Sequence, residues 1–154
     1  MNETPDTGVI SRSRDREKSH VREMQTVEHL RVRPFLGGTS LSLERARLEI
    51  SIFAAMLNSL PAGPGALILD LGAGCCWVSE WLQRLRYRTI SVDLCADMLR
   101  IGRERLTQNS RLCAGDMAEL PLADECVDGA LCYGSLHHVP NWQDALKEIH
   151  RVLR

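Results

Sequence analysis

Residues 67–82 read LILDLGAGCCWVSEWL. An apolar run carrying one carboxylate, Asp70, leads into a turn with Gly72 and Gly74. Two adjacent cysteines then stand where a helix should begin. A nearly continuous apolar run of this length fits a strand buried on both faces, as in parallel sheets. Glycines at 72 and 74 let the backbone turn tightly and approach a ligand without a Cβ in the way. The helix that follows is expected to present unpaired N–H groups in its first turn.

Outward from this stretch the pattern alternates. Strands are predicted at 66–71, 88–93, 111–114 and 127–133, with helices at 77–85, 96–106 and 142–153. Val78, Leu82 and Leu85 are expected to face inward on the first of these helices. Trp142, Ala145, Leu146, Ile149 and Leu153 form the apolar stripe of the last, with Asn141 at its cap. The segment 116–126, with Pro121, reads as loop. This order predicts an open parallel α/β sheet covered by helices.

Before the sheet, helices are expected at 20–33 and 41–60. The second carries Leu43, Ala46, Ile50, Phe53, Ala54 and Leu57 on one face, with Ser40 or Ser42 as its cap. PAGPG (61–65) is a turn-rich connection. Residues 1–19 are polar and show no apolar period, as expected of a disordered tail. The organisation expected is therefore a tail (1–19), an N-terminal helical segment (20–60) and a sheet domain (61–154).

The 154 residues suffice for one domain with a single core, and the net charge of −1 gives no global attraction to nucleic acid or anionic membrane. No apolar run approaches the roughly 18 residues that span a bilayer, and the N-terminus lacks a signal-peptide centre, so a cytoplasmic protein is expected. The six cysteines form no C-x-x-C pair, which argues against a zinc or thioredoxin-like site. Cys75 and Cys76 are adjacent and poorly placed to bridge each other. They read as small apolar fillers.

Three carboxylates recur at strand ends: Asp70, Asp93 and Asp116. In a parallel sheet they share the edge where ligands bind. Asp93 lies 19 residues after Gly74, close to the spacing of an acid that binds ribose hydroxyls. A dinucleotide fingerprint needs a third glycine where Trp77 stands, and an indole there is expected to crowd the strand–helix seam. No G-K-[ST] follows, so the turn is not a phosphate loop. The ligand expected is a nucleoside with few or no phosphates.

LILDLGAG (67–74), ISVDLCADML (90–99), AGDMAELPLADECVDGALCYGSLHHVP (114–140) and ALKEIHRVLR (145–154) together resemble class I S-adenosylmethionine-dependent methyltransferases, nearest to the broad type 11 group. The resemblance covers residues 66–154. It implies a Rossmann-like, doubly wound parallel sheet, incomplete at the C-terminus because no strand follows the last helix, with the N-terminal helices beside it. It also implies S-adenosyl-L-methionine as cofactor and methyl transfer to a small-molecule acceptor. By the same resemblance Asp70 and the turn Gly72, Ala73 and Gly74 would surround the methionine moiety, with Asp70 near its ammonium. Asp93 would bind the ribose, Leu94 would pack on the adenine, and Asp116 and Met117 would meet the adenine amino group and ring. Tyr133 to His138 would line the sulfonium and the acceptor. His137 and His138 are candidate general bases, since imidazole titrates near neutral pH.

The chain departs from the family pattern at three places. Cys76 and Arg86 stand where glycine is common, and Cys95 stands where serine is common. Two other readings remain at this point: a methyltransferase-like module without activity, and a nicotinamide-dependent oxidoreductase.

Overall fold

The computed structural model describes residues 40–108 and 110–154. Helix α1 spans Ser40–Asn58 and strand β1 spans Leu67–Leu71. Then follow α2 (Trp77–Arg84), β2 (Arg88–Asp93), α3 (Ala96–Arg103), β3 (Arg111–Ala114) and β4 (Gly129–Cys132). A short 3-10 turn at Leu136–His138 and helix α4 (Trp142–Val152) complete the described chain. The expected tail and the helix over 20–33 lie outside the described residues, as do the side chains proposed to cap α1.

The strands form one parallel sheet in the order β3-β2-β1-β4. All five residues of β1 are buried, because it is central and covered on both faces. Its period-2 alternation divides the core. Leu67, Leu69 and Leu71 pack with Ile90, Val92, Val127 and with Val152 of α4. Ile68 points to the opposite layer, with Phe53 of α1, Trp77, Val78 and Leu82 of α2, and Leu131. Each such side chain, fully buried, contributes roughly 1.5–3 kcal/mol.

Helix α2 stops at a Schellman arrangement. Arg86 donates its amide to Gln83 O at 2.9 Å, and Tyr87 donates to Leu82 O at 3.0 Å. This needs a left-handed residue after the helix, and Arg86 takes that conformation at φ 69° where glycine is usual.

The apolar faces of the helices are only partly covered, and the inward placement expected of Leu85 is corrected. Leu43 and Ala54 of α1 are exposed, whereas Ala46 and Phe53 are buried. Leu85 is exposed after the end of α2. On α4, Trp142 and Leu146 are exposed, while Ala145 and Val152 carry the contact with the sheet. Two elements are shorter than expected. α3 gives way to turn after Arg103. β4 begins at Gly129, and Val127 instead bridges Leu153. Among the described residues no helix is long and apolar enough to cross a membrane, and none of the six cysteines is in a disulfide.

Candidate functional site

The carboxyl ends of β1 and β2 meet at the turn after β1. Gly72, Gly74 and Cys76 all have positive φ, at 66°, 51° and 58°. The amides of this turn are committed inward. Gly72 and Ala73 donate to Val92 O at 2.8 and 3.0 Å, and Cys76 donates to Ala73 O at 2.7 Å. Gly74 donates to Asp93 Oδ2 at 2.7 Å, and Asp93 Oδ1 also accepts from Cys95 N at 2.8 Å. Asp93 is thus fixed at the end of β2 by two backbone donors, directly against the glycine turn. It also anchors the start of α3. Cys95 makes no side-chain cap there.

Asp70 stands elsewhere. It is 1% exposed, and its Oδ2 accepts from Ser79 N at 3.1 Å and from Ser79 Oγ at 2.6 Å. Alternation along β1 places it on the α2 side of the sheet, opposite Leu69 and Leu71, so it faces inward beneath the turn. Its carboxylate has almost no solvent access and lies beneath the turn that the cofactor's methionine moiety is expected to meet. Burial pushes its acid group up to about 6, the bonds from Ser79 pull it down, and the nearby Asp93 pushes it up. The expectation of unpaired helix amides is corrected for Ser79, whose N–H goes to Asp70.

The Cys76 side chain is buried with Ala73 and Leu99, away from the open side of the turn. It packs on α3 at Gly102, where a Cβ would lie 2.8 Å from Cys76 Cβ. Burial, reinforced by Asp70, pushes its thiol up to about 12, so it stays protonated at neutral pH. Among the described residues no group of His, Cys, Asp or Glu is arranged to hold a metal ion.

Trp77 does not crowd the strand–helix seam. Its indole turns toward α1 and β4, with ring centroids 5.8 Å from Phe53, 6.4 Å from Trp81 and 5.0 Å from Tyr133. The contacts with Trp81 and Tyr133 are edge-to-face, a favoured geometry for aromatic pairs. Trp77 therefore fastens the N-terminal helix to the turn and to the end of β4.

Two further segments border the turn. After β4, Ser135 Oγ donates to Leu71 O at 2.9 Å and touches Cys132 Sγ at 3.0 Å. A Cβ on Gly72 would overlap Ser135 Cβ and Oγ, and would lie 3.5 Å from Met117 Cε. The turn, Met117 and the segment after β4 are thereby brought together. His137 and His138 follow in the 3-10 turn, both exposed, with ring centroids 3.9 Å apart. After β3, Asp116 Oδ1 accepts from Ala118 N at 2.9 Å, and Asp116, Met117 and Leu94 are half-buried.

The loop that carries Asp116 and Met117 is braced by a residue that motif reading passed over. Arg151 of α4 donates to Leu120 O at 3.0 Å, to Leu122 O at 2.8 Å and to Glu148 and Asp124, while Glu148 Oε2 accepts from Leu120 N at 2.8 Å. Ser79 and Ser91 were also passed over. Their only signal was the alternation of β1 and the register that sets Asp70 opposite Ser91.

Chemically, the edge offers carboxylates, apolar side chains and a glycine turn with its N–H groups largely spent. It suits a donor-rich ligand better than a phosphate, which needs free amides.

Comparison with known proteins agrees with this geometry. Residues 69–154 match the family model described as a methyltransferase domain. The chain is 34% identical over 113 residues to the malonyl-[acyl-carrier protein] O-methyltransferase of Pectobacterium atrosepticum, covering 71% of this chain and 43% of that protein. It is 36% identical over 104 residues to the demethylmenaquinone methyltransferase of Thermobifida fusca, covering 65% of this chain and 44% of that protein. Among solved structures, the S-adenosylmethionine-dependent methyltransferase of Mesorhizobium loti superposes with a TM-score of 0.60 at 26% identity, covering 68% of this chain and 48% of that one. The chain thus spans less than half the length of these relatives. With a family match over more than half its residues, on the sheet edge where the turn and acids converge, this chain belongs to the methyltransferase domain family.

Proposed function

We propose that this chain binds S-adenosyl-L-methionine, the cofactor of its family, at the carboxyl edge of β1 and β2 and takes part in methyl transfer to a small-molecule acceptor. The observation that carries this reading is the inward commitment of the turn amides of Gly72, Ala73, Gly74 and Cys76. A turn spent in this way has few donors for a pyrophosphate, which argues against a nicotinamide dinucleotide. It leaves room for a ligand that brings its own donors and positive charge.

In this reading the turn of Gly72, Ala73 and Gly74 borders the amino-acid part of the cofactor without contact from Asp70, which supports the turn from below. Asp93 accepts from the ribose hydroxyls. Leu94 and Met117 flank the adenine, and Asp116 accepts from its amino group. Tyr133, held by Trp77, forms the wall on the acceptor side.

When bound, the cofactor supplies a methyl group on a positively charged sulfur, an already activated electrophile, so alignment is the main task left to the protein. His137 and His138, exposed beyond Tyr133, take the proton from an acceptor that carries one. The two relatives above are named for different acceptors, a malonyl-[acyl-carrier protein] and a demethylmenaquinone, and a methylation assay with each distinguishes them.

Isothermal titration of the chain with S-adenosylhomocysteine tests the cofactor site. Saturable binding that Asp93→Ala reduces by at least about tenfold, or roughly 1.4 kcal/mol, is expected. Heat traces identical to buffer, or an unaffected Asp93→Ala variant, overturn the assignment.

A further inference from the structure

The αL conformation of Cys76 is unfavourable for a residue with a Cβ, so something beside it must hold the turn. The candidates are packing on Gly102 and the polar group buried beneath. That group joins three elements. Asp70 of β1 receives both donors of Ser79, in the first turn of α2. Ser79 Oγ lies 2.7 Å from Ser91 Oγ of β2, whose residue is the register partner of Asp70. Asp70, Ser79 and Ser91 are each no more than 1% exposed. Between Asp70 and Ser79 lie only the turn and the start of the helix. Any slip of α2 along β1 breaks both bonds and lets the turn relax.

We infer that Ser79, gripped by Asp70 and backed by Ser91, is a positioning residue that latches the turn of residues 72–76 in its ligand-binding shape. This inference rests on the cofactor reading above and extends it to a residue that touches no ligand. The grip is strongest when Asp70 is ionised, because a charged acceptor makes the stronger hydrogen bond. The titratable groups that face Asp70 are Asp93, at the end of β2, and the Cys76 thiol, in the turn. Asp93 opposes its ionisation, whereas the Cys76 thiol is neutral in this range and is itself pushed up by Asp70. The latch is therefore expected to slacken as pH falls through about 6.

Two measurements on the full chain test this. Amide hydrogen exchange at Gly74 and Cys76 is compared in the parent, Ser79→Ala and Ser91→Ala. S-adenosylhomocysteine affinity is followed from pH 5 to 8 in the same three chains and in Asp70→Asn. Ser79→Ala is expected to speed exchange at both amides about tenfold or more and to weaken binding at pH 7 about tenfold. Its affinity inflection should also move to higher pH, since the lost hydroxyl no longer favours the charged carboxylate. Asp70→Asn should abolish the inflection. Ser91→Ala, which spares both Asp70 bonds and removes only its own contacts with Ser79 Oγ and the Cys76 thiol, should change exchange and affinity less than Ser79→Ala does, and shows that a buried serine can be truncated there without unfolding. Unchanged exchange at Gly74 and Cys76 in Ser79→Ala, or an unchanged pH profile, overturns the latch. A parent that does not bind S-adenosylhomocysteine overturns the cofactor reading instead, and the exchange comparison still decides the latch.

Discussion

Strand β1 has two neighbours, and the regions beside them are built differently. On the β2 side, directional bonds set each position, Asp93 on two amides and Asp70 on Ser79, and Ser135 reaches over this turn from the end of β4 to bond Leu71. Three residues of the turn are held at positive φ. On the β4 side, a groove of about 440 Å3 lies between α1 and the outer strand, lined by Ile52, Ala55, Met56, Leu60, Gly129 and Leu131 among others. Its walls are side chains with rotatable ends. Hydrogen bonds and left-handed backbone are intolerant of small displacements, whereas an apolar wall yields by rotamer change. Substitutions on the first flank should therefore cost more, and depend on pH, while those on the second should not.

The largest effect is expected at Gly72. Alanine there adds a methyl group that overlaps Ser135 and places a Cβ on a backbone at φ 66°. Overpacking and left-handed strain together suggest a loss of about 2–5 kcal/mol, read as a lower urea midpoint. S-adenosylhomocysteine affinity should fall by at least about 100-fold. A Gly72→Ala chain with parental midpoint and affinity would erase the distinction between the two flanks.

Next comes the pH dependence of stability. The acid group of Asp70 is raised from 3.8 to about 6 in the folded chain. The folded state therefore holds this proton more tightly than the unfolded chain. Its contribution is fully present below pH 3.8 and is lost as pH rises through about 6. A shift of this size corresponds to about 3 kcal/mol. Asp128 and Glu148 work the opposite way. Asp128 is held low by the Leu67 amide and by Arg154, and Glu148 by Arg151 and the Leu120 amide. The reading is thus the difference between parent and Asp70→Asn in unfolding free energy from pH 4 to 7. That difference should change by a few kcal/mol, with Asn relatively favoured at the upper end. A flat difference would mean that Asp70 is solvated in solution.

What could be read from the sequence follows the same division. The bounds of β2 and β3, and the presence of Asp93 at the same end of the sheet as the Gly72–Gly74 turn, came from local signals: an apolar run, a turn, a spacing. The inward set of Asp70 was available too, since alternation puts it opposite Leu69 and Leu71, but an acid before a glycine turn invites a ligand role. Leu43, Ala54, Trp142 and Leu146 are exposed on the apolar faces of α1 and α4, which periodicity does not foretell: it says which residues share a face, not how much of that face is covered. The contact between Ser135 and Gly72 joins residues 63 apart, and it depends on the register of β1 with β4. No local pattern carries that.

A smaller effect is expected in the groove. A Cβ on Gly129 would stand 3.1 Å from Ile68 Cδ1 and from Leu60 Cδ2. Both atoms end flexible side chains, and Leu60 is only half-buried. Alanine also reduces the freedom of the unfolded chain. Gly129→Ala should shift stability by under about 1 kcal/mol, with no change in cofactor affinity. A loss as large as that at Gly72 would show that the groove is as rigid as the turn.

The smallest net effect is expected at Cys76, although it sits on the demanding flank. Glycine there would relieve a left-handed conformation worth about 1–2 kcal/mol. It would also remove a fully buried side chain packed on Gly102, Ala73 and Leu99. One carbon and one sulfur, at about 0.8 kcal/mol per methylene-sized group, come to a similar size, and glycine adds about 0.5–1 kcal/mol of backbone entropy cost. The terms oppose each other, so Cys76→Gly should stay within about 1 kcal/mol of the parent. The thiol points into the α3 contact and away from the open side of the turn, so affinity for S-adenosylhomocysteine should stay within about threefold. A tenfold gain in affinity would mean that Cys76 distorts the turn. A tenfold loss would mean that its packing, more than the Asp70–Ser79 grip, keeps the turn in shape.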